Sequence, residues 1–208
     1  MPPRTDNPTG ASTPLADLEK EARENPHSVI AHHRLALAYW KEGRLEDALA
    51  AFRKGLEIDP AGYELRINLG TVLFQLGRFE EGIRENEAAL KLRPDSAEAH
   101  ANIGSACIQM QEWEKAAEHF ERALEIKPEM VPALTNLTTV LVELGRTEQA
   151  VAVAEKAVSL APTFGLAHNN LAVACYYAGD TGRAREAAEK ARQLGYPVHP
   201  DFLAKLSG

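Results

Sequence analysis

Two cysteines in 208 residues, Cys107 and Cys175, are too few for a disulfide framework or a zinc ribbon. They stand 175 − 107 = 68 positions apart and read as small core residues in a reducing compartment. Aromatic residues make up only 6% of the chain against an apolar fraction of 45%. A core must therefore be built from Ala, Leu, Ile and Val, side chains that suit closely packed helices. No apolar run is long enough to span a bilayer, and residues 1–13 carry Pro, Thr, Asn, Gly and Ser without the apolar stretch of a secretion signal. A soluble, unexported, cytoplasmic protein is expected, with no membrane insertion. Positive charge is also in deficit: the formal net charge is −7. Duplex binding needs clustered Lys and Arg that release counterions, so nucleic acid is not an expected partner. There is no phosphate-binding glycine loop, HExxH, CxxC or nucleophile elbow. Neither catalytic residues nor a cofactor nor a metal site is expected, and the chain does not read as an enzyme.

What is present is a repeat. Pro26, Pro60, Pro94, Pro128 and Pro162 are spaced 34 apart, and the next slot holds Tyr196, followed at once by Pro197. Between prolines each block reads as an apolar helical stripe, a short turn and a second stripe: Leu35 and Tyr39, then Gly43-Arg44, then Ala48, Phe52 and Leu56. Gly43, Gly77, Gly145 and Gly179 fall where the first helix must end in a left-handed residue. Ala36, Gly70, Gly104, Thr138 and Ala172 are expected to face Ala48, Gly82, Ala116, Ala150 and Ala184, small residues that let paired helices approach closely. Proline at the block boundary stops the second helix.

These residues closely resemble the 34-residue signature of the tetratricopeptide repeat family. The match covers residues 29–195, and the third block shows the slots clearly: His100, Ile103, Gly104, Cys107, Ala116, Phe120, Ala123 and Pro128. Three departures are mild: Asn86 replaces the second-helix aromatic, Gln111 the turn glycine, and Gly55 an alanine. The resemblance implies an all-α fold, a right-handed superhelical solenoid of antiparallel helix pairs with a concave face lined by the first helices, and a role in protein interaction. The expected organisation is a disordered tail (1–13), a capping helix (14–25), five tetratricopeptide repeats (26–59, 60–93, 94–127, 128–161 and 162–195) and a C-terminal capping segment (196–208). Leu15, Leu18 and Ala22 supply the first cap. Phe202, Leu203 and Leu206 form an apolar tail that either seals the last hairpin or docks into a neighbouring copy, giving self-association.

Asn68, Asn102, Asn136 and Asn170 recur every 34 residues, with Arg34 in the same slot of the first block. An asparagine amide offers donors and an acceptor, so such a ladder can grip the N–H and C=O of an extended peptide. It resembles the asparagine ladders that hold extended backbones in other superhelices of the family. The same amides could instead bond within the repeat stack. One turn along, Leu37, Thr71, Ser105, Thr139 and Val173 form a low floor, and Trp40, Phe74, Ile108, Val142 and Tyr176 form a line of larger apolar residues. The peptide-binding set is therefore Arg34, the four asparagines, Trp40, Phe74, Thr71, Ser105, Ile108, Thr139 and Tyr176. The carboxylate clamp by which some family members hold acidic chaperone tails is not matched. His33, Leu37, Glu98 and Asn102 occupy its places, and Asn68 alone agrees. Groove charge is mixed, Arg34 and Lys41 at one end against Glu64, Glu98 and Glu143 further along, so a ligand with basic residues toward its far half is favoured. His32, His100 and His168 share one slot, but helices ~8–10 Å apart keep residues two blocks away from sharing one metal ion.

Two readings follow. The first is an adaptor that holds an extended peptide of a protein partner in its groove. The second is an assembly scaffold that binds folded subunits, or copies of itself, through its convex or terminal surfaces.

Overall fold

The computed structural model describes residues 13–207; apart from Thr13, the expected tail of residues 1–13 falls outside them. Among the described residues there are twelve helices and no strand. After α1 (Leu15–Glu24) come five pairs: α2 (Val29–Lys41) with α3 (Leu45–Ile58), α4 (Tyr63–Gln75) with α5 (Phe79–Leu92), α6 (Ala97–Gln109) with α7 (Trp113–Ile126), α8 (Val131–Glu143) with α9 (Thr147–Leu160), and α10 (Gly165–Tyr177) with α11 (Thr181–Gln193). The last helix is α12 (Pro200–Ser207). Each pair packs internally and against the next, so the fold is an all-α solenoid of antiparallel hairpins.

The turn inside each pair follows one hydrogen-bond scheme. Arg44 N–H reaches Tyr39 O, and Arg78, Glu112, Arg146 and Asp180 reach Leu73, Cys107, Leu141 and Cys175 in the same way. That six-residue return closes a Schellman motif, which requires a left-handed residue just before it. Gly43, Gly77, Gly145 and Gly179 supply it with φ between 69° and 85°, and Gln111 supplies it at 57°.

Small residues bring the helices of a pair together. Ala36 and Ala48 are both fully buried, as are Ala172 and Ala184. At Gly70 and Gly82 the approach is closest: a Cβ on Gly70 would lie 3.0 Å from Gly82 O, and one on Gly82 would lie 2.8 Å from Gly70 O. Phe52 and Phe120 fill the interiors of the first and third pairs. In the second pair Asn86 takes that place, wholly buried, and donates to Gly82 O at 2.9 Å. Its carbonyl oxygen accepts from Asn102 of the next pair at 3.4 Å.

Both ends of the stack are covered. Leu18 and Ala22 of α1 are buried with Ala31 and Leu35 of α2. At the other end Val198 and Leu206 are buried against Ala184, Ala187 and Ala188 of α11, with Phe202 and Leu203 packed beside them. Arg185 Nε donates to Leu206 O, and the Phe202 ring meets Tyr176 edge-on at 5.5 Å. The C-terminal tail is therefore docked on its own chain.

Candidate functional site

The asparagine slot and the floor slot are joined by a hydrogen-bond relay. Thr71, Ser105 and Thr139 each donate their hydroxyl proton to the carbonyl one turn back, on Ile67 (3.0 Å), Ala101 (2.9 Å) and Thr135 (3.3 Å). A hydroxyl has one proton, so each of these oxygens can only accept from across the repeat boundary. The asparagine that reaches it must present its amide nitrogen. Asn102 Nδ2 donates to Thr71 Oγ1 at 3.2 Å, Asn136 Nδ2 to Ser105 Oγ at 3.4 Å and Asn170 Nδ2 to Thr139 Oγ1 at 3.4 Å. Each bond spans 31 positions, from one first helix to the preceding one.

Two amides are engaged through a second bond as well. Asn102 Nδ2 also donates to Asn86 Oδ1, and Asn170 Nδ2 to Thr135 O at 2.9 Å. Asn68 has Leu37 in the hydroxyl position and turns instead to His33 Nε2 at 3.1 Å. Burial holds the His33 ring below the ordinary histidine pKa against a smaller opposing pull from Glu64, which favours the neutral form that can accept from an amide. The structure thus divides each amide. Its nitrogen bonds inside the stack, while the Oδ1 atoms of Asn68, Asn102, Asn136 and Asn170 carry no hydrogen bond among the described residues and remain reachable by solvent. Of the two roles open to these amides, bonding within the repeat stack is the one the nitrogens take here, with two acceptors each at Asn102 and Asn170.

Three hollows lie along this line. One of about 330 Å³ is lined by Thr71, Phe74, Asn102 and Ser105. Another of about 260 Å³ is lined by Thr139, Val142, Asn170 and Val173. Each of these four residues of the second stands 68 positions after its counterpart in the first, as in 139 − 71 = 68, so the two hollows share one construction two repeats apart. A third, of about 420 Å³, is polar and lies where α4 and α6 begin, among Tyr63, Glu64, Asn68, Arg93 and Glu98. There the Arg93 guanidinium lies 4.1 Å above the Tyr63 ring, and the Tyr63 hydroxyl donates to Glu64 at 2.8 Å. Glu64, Glu98 and Glu143 are exposed and have no cationic partner among the described residues.

The remaining expected site residues are distributed unevenly. Arg34 is tied to α1: its Nη1 lies 2.8 Å from both Glu21 carboxylate oxygens. Trp40 Nε1 donates to Gln75 Oε1 of the next pair at 2.8 Å. Ile108 is half-buried against the central core. Tyr176 is turned toward Phe202 and belongs to the C-terminal cluster, whereas its neighbour Tyr177, 60% exposed, lines the hollow beside Asn170. Tyr177 was missed because one residue is a turn of ~100° around a helix, and the choice between the two tyrosines depends on where α12 docks. The spacing of 31 between hydroxyl and asparagine is a signal that could have revealed the relay.

The histidine slot proves to be a backbone cap. His32 Nε2 lies 3.1 Å from Pro26 O, His168 Nε2 lies 2.9 Å from Pro162 O, and Arg66 Nη2 in the same slot donates to Pro60 O at 2.9 Å. His100 also meets His119, Nδ1 to Nδ1 at 3.1 Å. Among the described residues no three His, Cys, Asp or Glu side chains gather as a metal site would require, and no helix is long and apolar enough to cross a membrane. Both cysteines are free and buried, and burial pushes their thiols up.

Four tetratricopeptide repeat models match the chain, over residues 29–61, 63–129, 108–163 and 136–200. No curated protein matches the sequence. Several solved structures share the fold. MamA is 25% identical with a TM-score of 0.71, over 77% of this chain and 94% of its own. PilF of Pseudomonas aeruginosa is 24% identical with a TM-score of 0.75, over 90% of this chain and 84% of its own. YrrB, described as a TPR protein with an unusual peptide-binding site, is 21% identical with a TM-score of 0.75, over 94% of this chain and all of its own. With repeat models following one another along the helical pairs and solenoids of like shape among solved structures, this chain belongs to the tetratricopeptide repeat family.

Proposed function

We propose that this protein is an adaptor that holds an extended peptide segment of a protein partner in the groove lined by α2, α4, α6, α8 and α10. The observation that carries the reading is the relay. Asparagine amides anchored at regular intervals on Thr71, Ser105 and Thr139 leave their carbonyl oxygens reachable along the same face as the hollows. An extended main chain offers hydrogen-bonding groups at regular intervals too, so a rigid ladder can meet it with little ordering cost on the protein side. The reading is one of binding rather than catalysis, in the cytoplasm.

The test compares capture of peptides by the wild-type chain and by a variant with Asn68, Asn102, Asn136 and Asn170 all changed to Ala. Because each amide nitrogen also bonds within the stack, helicity and melting temperature are measured alongside. Lost capture with retained helicity supports the groove; equal capture moves the site elsewhere.

The scaffold reading has its own observation. Leu92, Ile126 and Leu160, each the last residue of a second helix and 34 positions apart, are 48%, 38% and 38% exposed. Partner binding that survives loss of the asparagines but not Leu92→Ser, Ile126→Ser and Leu160→Ser together would place the interface on that edge.

A further inference from the structure

The relay fixes the direction of the amides, and that direction selects what can lie on them. At Asn102 and Asn170 the Nδ2 atom already donates to two acceptors inside the chain. What each rung leaves without a partner among the described residues is its carbonyl oxygen, which only accepts. The occupant must supply donors. Charge points the same way. The polar hollow holds Glu64, Asp95 and Glu98 against one cation, Arg93, and Glu143 lines the hollow beside Asn170; Glu64, Glu98 and Glu143 are exposed and form no ion pair among the described residues. Of the cations at the first pair, Arg34 is matched by Glu21, leaving Lys41 at the far end of α2. The chain as a whole is acidic, at −7. A carboxylate-rich segment would meet both repulsion and a row of acceptors, whereas a basic one is complementary on both counts.

The two matching hollows add a spacing. They differ by two repeats, and first helices that touch at ~8–10 Å per step put them about 20 Å apart. At ~3.3 Å per extended residue that distance corresponds to about six residues. Phe74 lines one hollow, and Val142 and Val173 line the other. These are surfaces for apolar side chains.

Building on the groove reading above, we propose that the occupant is a basic, extended peptide segment of a partner protein. It is held through its main-chain N–H groups and anchored by two apolar side chains about six residues apart. Ser105 is a positioning residue in this arrangement, because its hydroxyl is the acceptor that orients Asn136.

The experiment pans a randomised library of short synthetic peptides over the full chain and sequences what is retained. Retained peptides are expected to be rich in Lys and Arg, to carry two apolar positions about six apart, and to be released by salt. One retained peptide is then remade with single main-chain amides replaced by esters, which removes the N–H and keeps the carbonyl. Esters opposite the asparagines are expected to weaken binding roughly 5- to 10-fold each. Ser105→Ala, which frees the Asn136 amide to rotate, is expected to shrink the ester penalty at that rung alone. Retained peptides that are acidic or lack the spaced apolar pair, or esters that bind as well as the parent, overturn this proposal; if capture still depends on the asparagines, the groove reading stands without it. No retention of any peptide overturns both.

Discussion

Close packing is most exacting where glycine is present for lack of room. A Cβ at Gly70 would sit 2.0 Å from Asn86 Nδ2 and 3.0 Å from Gly82 O, the first a buried, hydrogen-bonded amide and the second a backbone atom. Gly70→Ala should therefore cost about 1–3 kcal/mol by overpacking, read as a shift of the denaturant midpoint. At Gln111 the situation is reversed. It occupies a left-handed turn position that glycine takes in the other pairs, so Gln111→Gly should stabilise by about 0.5–1 kcal/mol, the strain relieved less the entropy gained by the unfolded chain. Burial also lowers the affinity of His33, His100 and His119 for protons in the folded state, aided at His100 by the charges of His119 and Arg122. With folded pKa values below the ordinary 6.5, the unfolded chain takes up protons first as the solution is acidified. Stability should then be greatest above that value and fall as pH drops toward and through the folded values. Melting curves across that range check it, and His119→Gln should flatten the dependence. The turn glycines were legible in the sequence because one φ region admits almost only glycine. The partners of Asn86 were not, because they come from Gly82 on the same helix and from Asn102 on the next pair.

At the scale of single helices, the stops and starts were readable and the docking angles were not. Pro60, Pro94, Pro128 and Pro162 each stand two positions past the last residue of a second helix, directly after its C-cap, where a missing N–H costs nothing. The proline carbonyls are the part the sequence concealed: His32, Arg66 and His168 reach back six positions to Pro26, Pro60 and Pro162, bonds that exist only once the next helix has folded beside the turn. The apolar run of α12 announced that it would pack somewhere, and within this chain it lies on its own hairpin. Leu206 is 3% exposed in that contact. Leu206→Ala should cost about 2 kcal/mol, at the lower end for a buried leucine because a terminal helix relaxes readily. Hydrogen exchange should show faster exchange confined to α10, α11 and α12, with α2–α5 unchanged, since each pair in a solenoid senses only its neighbours.

Across the whole molecule that same nearest-neighbour logic governs stability. Ending the chain at residue 161 removes α10, α11 and α12 and uncovers one face of α8 and α9, yet leaves the other pairs with every contact they had. The shortened chain should remain helical by circular dichroism and unfold at lower denaturant, with a slope reduced in keeping with the smaller surface exposed. A chain that lost all helicity would show cooperativity extending beyond adjacent repeats.

The sequence by itself determined the period, the helix pairs, the small-residue contacts and the identity of the ladder, because each is written in local spacing: 34 for the repeat, 3.6 for the helix, one residue type for one backbone conformation. It also placed Thr71, Ser105 and Thr139 beside the asparagines on the same face. Tertiary structure alone decided what those residues present. Which atom of each amide is engaged inside the stack depends on hydroxyls 31 residues away in the preceding repeat. Whether Arg34 serves the groove or α1, and whether Tyr176 or Tyr177 lines a hollow, depends on how the end helices dock. Hydrogen-bond direction and side-chain exposure are properties of neighbours in space, and a periodic sequence fixes which face a residue occupies without fixing who stands opposite it.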